Sequence, residues 1–152
     1  MKKIGLFPGS FDPFTKGHEQ IVKKSLEIFD EITIGLGVNN SKEYLFDIQK
    51  RIKHINSLFE GQSNVNVSEF KTLTVNFCKK IDATYIIRGL RNSNDFEFEK
   101  TIAQMNKNIS GIETLFFLTD EKYGSINSSL IREIYKHNGS IEKFVTNANI
   151  LV

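Results

Sequence analysis

The chain has a single cysteine, Cys78, so no disulfide can form within it, and a reducing compartment, the cytoplasm, is the expected setting. No stretch reaches eighteen apolar residues, which excludes a membrane-spanning helix. The first apolar run, Ile4 to Phe7, breaks at Pro8-Gly9 and is too short to read as a secretory signal. A large excess of one sign of charge is also absent. A net charge of +2 gives no reason to expect nucleic acid or a membrane surface as the main partner, although a small anion would need only local positive charge. Repeats, low-complexity tracts and linkers are absent, so residues 1–152 are expected to form one domain with a sizeable core.

Apolar residues follow two alternating rhythms. Lys2 to Phe7 reads as a buried strand, followed by helical spacing at Ile21, Val22, Leu26 and Phe29. Glu31 to Val38 is a second strand, followed by a helical stripe of Ile48, Ile52, Ile55 and Phe59. Val65 to Phe70 alternates as a third strand, with a short helix near Val75 to Ile81. Thr84 to Arg88 is a fourth strand, before a stripe of Phe98, Ile102, Met105 and Ile109. Glu113 to Thr119 is a fifth strand, before a helix containing Leu130, Ile131, Ile134 and Tyr135. Ser140 is placed to cap a last short helix through Phe144. Five strand-helix units predict an α/β fold: a Rossmann-like, doubly wound parallel sheet with right-handed crossovers and helices on both faces. The phenylalanines are expected mostly in the core. Cys78, on a helical stripe, is expected there too, and His54 and His137 stand on helical stretches without metal-type partners.

In such a sheet, ligands bind beyond the carboxyl ends of the strands, where strand order reverses. The segments that follow the strands are "PGSFDPFTKGH", "NNSKEYLF", "KTLT", "RGLRNSNDFEFE" and "TDEKYGSINSSLIRE". Glycines, hydroxyls and basic residues collect in these five places. With strand order 3-2-1-4-5, the first and fourth segments face each other across the switch. Gly9 permits a sharp turn and close approach of a ligand to the backbone. Gly17-His18 falls at a helix N-terminus, where free amides and the helix dipole favour phosphate and an imidazole can donate to a phosphate oxygen. Blander alternatives exist for the charged residues. Lys42 could simply solvate a loop, Arg88 and Arg91 could form a solvated face, and Glu99 could pair with Lys100 or Arg91 on a helix surface.

"GSFDPFTKGH", from Gly9 to His18, resembles the T/H-x-G-H signature of the nucleotidyltransferase superfamily. "IRGLRNSNDFEFE" (Ile87 to Glu99) and "YGSINSS" (Tyr123 to Ser129) narrow the resemblance to the bacterial phosphopantetheine adenylyltransferases, over nearly the whole chain. That resemblance implies roles. Ser10, where the family usually has threonine, would contact phosphate of the substrate, and Ser10-Phe11 the nucleotide. His18 would hold the α-phosphate of ATP and stabilise charge there. Lys42 and Arg88 would bind the phosphate of 4'-phosphopantetheine, with Thr74 a further substrate contact. Gly89, Leu90, Arg91 and Glu99 would bind ATP. So would Tyr123, Gly124, Ser125, Ile126, Asn127, Ser128 and Ser129. Asn127 replaces a serine usual in the family, and can still cap a helix or donate to phosphate.

The reaction so implied makes dephospho-coenzyme A and pyrophosphate, without a covalent enzyme intermediate. The attacking phosphate is already anionic, so positioning and electrostatic stabilisation would suffice. Magnesium would come with the ATP phosphates and keep several waters, since no carboxylate cage is evident. Coenzyme A and dephospho-coenzyme A are implied as product-like ligands, and a homohexamer as the assembly. Two alternatives stay open: a related transferase acting on nicotinate mononucleotide or glycerol phosphate, and a non-catalytic module sensing adenylates.

Overall fold

The computed structural model describes residues 1–152. Five strands, β1 (Ile4–Gly9), β2 (Glu31–Gly37), β3 (Val65–Phe70), β4 (Tyr85–Leu90) and β5 (Glu113–Leu118), alternate with five helices. The helices are α1 (Lys16–Ser25), α2 (Ile48–Leu58), α3 (Thr74–Lys80), α4 (Ser93–Ser110) and α5 (Ser128–Lys136). The strands form one all-parallel sheet, as the alternation of rhythms predicts, in the expected order β3-β2-β1-β4-β5.

The period of two in the central strands explains why the sheet is covered on both faces. Phe7 and Ile87 join Ile21, Val22 and Ile55 in the larger cluster, beneath α1 and α2. Their neighbours Leu6 and Ile86 point the other way, to Val75, Phe77 and Cys78 of α3. Burial pushes the Cys78 thiol up to about 11, which suits a core residue and not a nucleophile. A third cluster joins Phe46 and Ile131 to Ile141, Val145, Ala148 and Leu151 of the last segment.

One expectation needs correction. No helix runs from Ser140 to Phe144: the chain makes turns there, then a short 3-10 helix at Ala148–Ile150. The carbonyl of Phe144 accepts from the backbone N–H of Lys16, near the other end of the chain, so no helix continues past it. The stripe on α4 is helical but not buried, with Phe98, Met105 and Ile109 at 68%, 56% and 57% exposure. Of the thirteen phenylalanines, seven are buried, while Phe96 and Phe98 lie exposed on α4. His54 is fully buried, bonding from Nε2 to the Thr146 carbonyl at 2.7 Å, whereas His137 is exposed.

Candidate active site

Two clefts open at the carboxyl ends of the strands, beside the β1–β4 switch. The first, about 410 Å³, contains Ser10, Lys42, Thr74 and Arg88, all four residues expected to contact the acceptor. The second, about 350 Å³, contains Ser10, Phe11, His18, Gly89, Arg91 and Glu99, together with Tyr123 and Ile126 to Ser129. Pro8, Gly9, Ser10, Arg88 and Glu99 line both, so they form the wall between them. Three residues expected at the nucleotide line neither cleft. Leu90 is buried in the core, and Gly124 and Ser125 stand in the turn after a 3-10 helix at Glu121–Tyr123.

The loop after β1 is shaped by its own side chains. A Cβ on Gly9 would meet the Phe11 ring at 2.8 Å, so only glycine fits there. Phe11 itself adopts φ 48° and buries its ring against Phe7 and Phe14. Thr15 caps α1: its hydroxyl accepts from the His18 N–H at 3.3 Å, while its own N–H donates to Nδ1 of His18 at 3.0 Å. An Nδ1 that accepts a hydrogen bond holds no proton, so the neutral imidazole carries its proton on Nε2. Burial, and after it the guanidinium groups of Arg88 and Arg91, push the His18 pKa down to about 3. His18 is therefore a neutral donor at the floor of the second cleft. Gly17 beside it is bare: a Cβ there would come no closer than 3.5 Å to any other group.

Arg88, at the end of β4, is held as a planar fork. Nε and Nη2 donate to the two carboxylate oxygens of Glu99 at 2.8 and 2.6 Å, and Nη1 donates to the Pro8 carbonyl. Glu99 thus pairs with neither Lys100 nor Arg91, and its buried carboxylate orients the cation shared by both clefts. Arg91 pairs with Asp95 one turn on, at 3.2 Å, and reaches the Ile126 carbonyl at 3.3 Å. Across the first cleft, Lys42 donates to the Ser10 hydroxyl at 3.1 Å.

Asn127 takes the capping role at the start of α5, accepting from the N–H groups of Ser129 and Leu130 at 2.8 and 3.2 Å. Arg132 escaped the sequence reading. Its guanidinium donates to the Asp12 carbonyl at 2.9 Å and the Ser129 hydroxyl at 3.0 Å, and it faces the second cleft. Its place one turn after Ser128 is the signal that could have found it: on a helix, i+4 shares the face of i.

A protein-family model described as cytidylyltransferase-like matches residues 6–134. A phosphopantetheine adenylyltransferase of Cytophaga hutchinsonii is 49% identical over 146 residues, covering 95% of this chain and 97% of that protein. One of Flavobacterium psychrophilum is 45% identical over 143 residues, covering 94% and 95%. Among solved structures, a bifunctional NMN adenylyltransferase/ADP ribose pyrophosphatase of Francisella tularensis superposes with a TM-score of 0.72 at 16% identity. That match covers 95% of this chain and 45% of the longer protein, and at such identity it establishes the shared fold.

Proposed function

The chain belongs to the phosphopantetheine adenylyltransferase family and transfers adenylate from ATP to 4'-phosphopantetheine, and we propose that its two clefts divide the substrates between them. The acceptor lies in the first cleft with its phosphate on Lys42, Ser10 and Arg88, and its chain running towards Thr74. ATP lies in the second, its phosphates over Gly17 and His18 and against Arg91, Ser129 and Arg132. The observation behind this division is the shared wall: of its polar side chains Ser10, Arg88 and Glu99, Ser10 and Arg88 are the two that can donate to phosphate, so the two phosphates meet there.

The acceptor phosphate attacks the α-phosphorus, the bond to the pyrophosphate oxygen breaks, and dephospho-coenzyme A and pyrophosphate form. The nucleophile needs no base. The Nε2–H of His18 donates to the α-phosphate as charge shifts, and the fixed Arg88 fork holds attacking and attacked groups in line. Magnesium would enter with the triphosphate. No group of three or more His, Cys, Asp or Glu side chains is placed to hold a metal ion, and the cleft acids are engaged: Glu99 by Arg88, Asp95 by Arg91, and Asp12 by the N–H groups of Leu45 and Phe46. Phosphate oxygens and water would be its ligands, and it would neutralise the leaving charge.

No helix is long and apolar enough to cross a membrane, and we place the reaction in the cytoplasm. Dephospho-coenzyme A and coenzyme A fit as product-like ligands of the same clefts. We further propose a homohexamer, which would cover the exposed apolar stripe of α4 beside the open edge of β5.

The test is product analysis with ATP and a panel of acceptors. Dephospho-coenzyme A should form from 4'-phosphopantetheine and nothing from pantetheine, which lacks the phosphate that Lys42 and Arg88 hold. Equal use of pantetheine, or preference for nicotinate mononucleotide or glycerol phosphate, would overturn the division.

A further inference from the structure

Arg51, in the first turn of α2, lines neither cleft, yet it is 2% exposed and its guanidinium bonds to the two loops that bear Ser10 and Lys42 of the first one. Nη1 donates to the Ser10 carbonyl at 2.6 Å and Nε to the Phe46 carbonyl at 2.9 Å. The guanidinium lies 4.2 Å from the centroid of the Tyr44 ring. The Tyr44 hydroxyl donates to the Gly37 carbonyl at 3.3 Å and accepts from the Asn39 N–H at 3.1 Å, which ties the ring to the end of β2. The buried Asp12 carboxylate closes the same seam, accepting from the N–H groups of Leu45 and Phe46 at 2.7 and 3.0 Å.

The segment after β1 and the segment after β2 are therefore fastened together by one buried cation and one buried anion. Both segments line the first cleft, one with Ser10 and the other with Asn39, Lys42 and Tyr44, and the Ser10 hydroxyl and the Lys42 ammonium stand 3.1 Å apart. A planar guanidinium is the side chain that can bond two divergent carbonyls and stack on an aromatic ring at once. A buried charge is otherwise costly, and burial does push the Arg51 pKa down, with Asp12, Tyr44 and Asp47 opposing.

We infer that Arg51 is a positioning residue for the acceptor-phosphate site: acting through the Ser10 backbone and the Tyr44 ring, it sets the distance between Ser10 and Lys42. This rests on the reading of the first cleft as the acceptor site.

Arg51→Lys keeps the charge and loses the fork. Calorimetric titration should show at least about tenfold weaker binding of 4'-phosphopantetheine, the loss of one well-placed interaction, while ATP binding stays within about twofold, a change of under half a kcal/mol. Lys42→Ala should weaken acceptor binding less in the Arg51→Lys background than in the wild type, because the two act through one geometry. Unchanged acceptor binding, equal losses for both substrates, or independent effects of the two substitutions would overturn the proposal. Should Arg51→Lys not fold, Arg51→Gln removes the buried charge with the fork, and the same split between substrates is expected. Wild-type protein that binds no 4'-phosphopantetheine would instead overturn the reading of the cleft itself, and the proposal with it.

Discussion

The backbone N–H of Thr15 points at Nδ1 of His18 from 3.0 Å, and that bond decides what the histidine can do. It fixes the tautomer with Nε2–H towards the cleft, and a pKa of about 3 keeps the ring neutral in ordinary buffers. Hence kcat/KM should show no acid limb near pH 6.5 from this group, and His18→Ala should lower kcat about a hundredfold to a thousandfold with ATP binding nearly kept. An acid limb near 6.5 that vanishes in His18→Gln would mean a titrating histidine instead.

The same shift has a consequence for stability. The unfolded ring takes up a proton near pH 6.5 and the folded one only near 3, so between those values the unfolded state binds more protons. Stability should fall as pH drops from about 6.5 towards 3. His54, also held down by burial, adds to that slope, so urea titrations of the wild type and His18→Gln are compared. A shallower slope in the variant is expected; identical slopes would refute a depressed His18.

Gly17→Ala separates fold from function. The new Cβ would sit 3.5 Å from the Thr15 hydroxyl and 3.9 Å from Thr119 and Tyr123, ordinary contacts all. Alanine in a helix is favoured over glycine by up to about 1 kcal/mol, so stability should hold or rise. KM for ATP should nevertheless increase, because the methyl group occupies space where the phosphates approach the helix amides. Unchanged ATP kinetics would show that the phosphates do not come down to Gly17.

The alternation of strands and helices was legible because parallel strands buried on both faces read as short apolar runs, as Glu31–Gly37 does. The meeting of His18, Lys42 and Arg88 at one end of the sheet was legible because each lies in or beside a segment that follows a strand of a parallel sheet. Arg51 and Asp12 were not: all but one of their side-chain partners are backbone groups of residues 33, 34 or 41 positions away, and a backbone group has no sequence signature. The α4 stripe has the same spacing whether its own sheet covers it or another surface does. The bond that holds the segment after Ser140, from the Lys16 N–H to the Phe144 carbonyl, likewise joins distant parts of the chain and leaves no sequence signature.

Arg91→Lys should raise KM for ATP and leave the acceptor KM alone, since Arg91 lines only the second cleft. Its pair with Asp95 is half-exposed and one turn apart, worth less than about 1 kcal/mol, so the melting temperature should barely move. A large loss of stability with normal ATP kinetics would make it a structural ion-pair member.

Met105→Asp tests the assembly. Met105 is 56% exposed in the single chain, so the monomer should tolerate the charge, with an unchanged circular dichroism spectrum. Light scattering should give a hexamer for the wild type and a smaller species for the variant. A monomeric wild type, or a hexameric variant, would show that the α4 stripe is not what holds copies together.

Glu99→Gln decides between two roles for one carboxylate. If Glu99 were solely an ATP ligand, only the ATP KM would change. In the structure both of its oxygens face Arg88, which borders both clefts, so both KM values should rise several-fold together. The amide can accept only one of the two bonds and brings no charge. Stability should fall by on the order of 1–3 kcal/mol, as for a hydrogen bond to a charged group. A fully buried pair would lose about 3–5 kcal/mol, and the 31% exposure of the Arg88 side chain keeps the loss below that. Steady-state kinetics with each substrate varied in turn separates the cases. A rise confined to ATP, with stability unchanged, would return Glu99 to the nucleotide and leave Arg88 to be oriented by the Pro8 carbonyl alone.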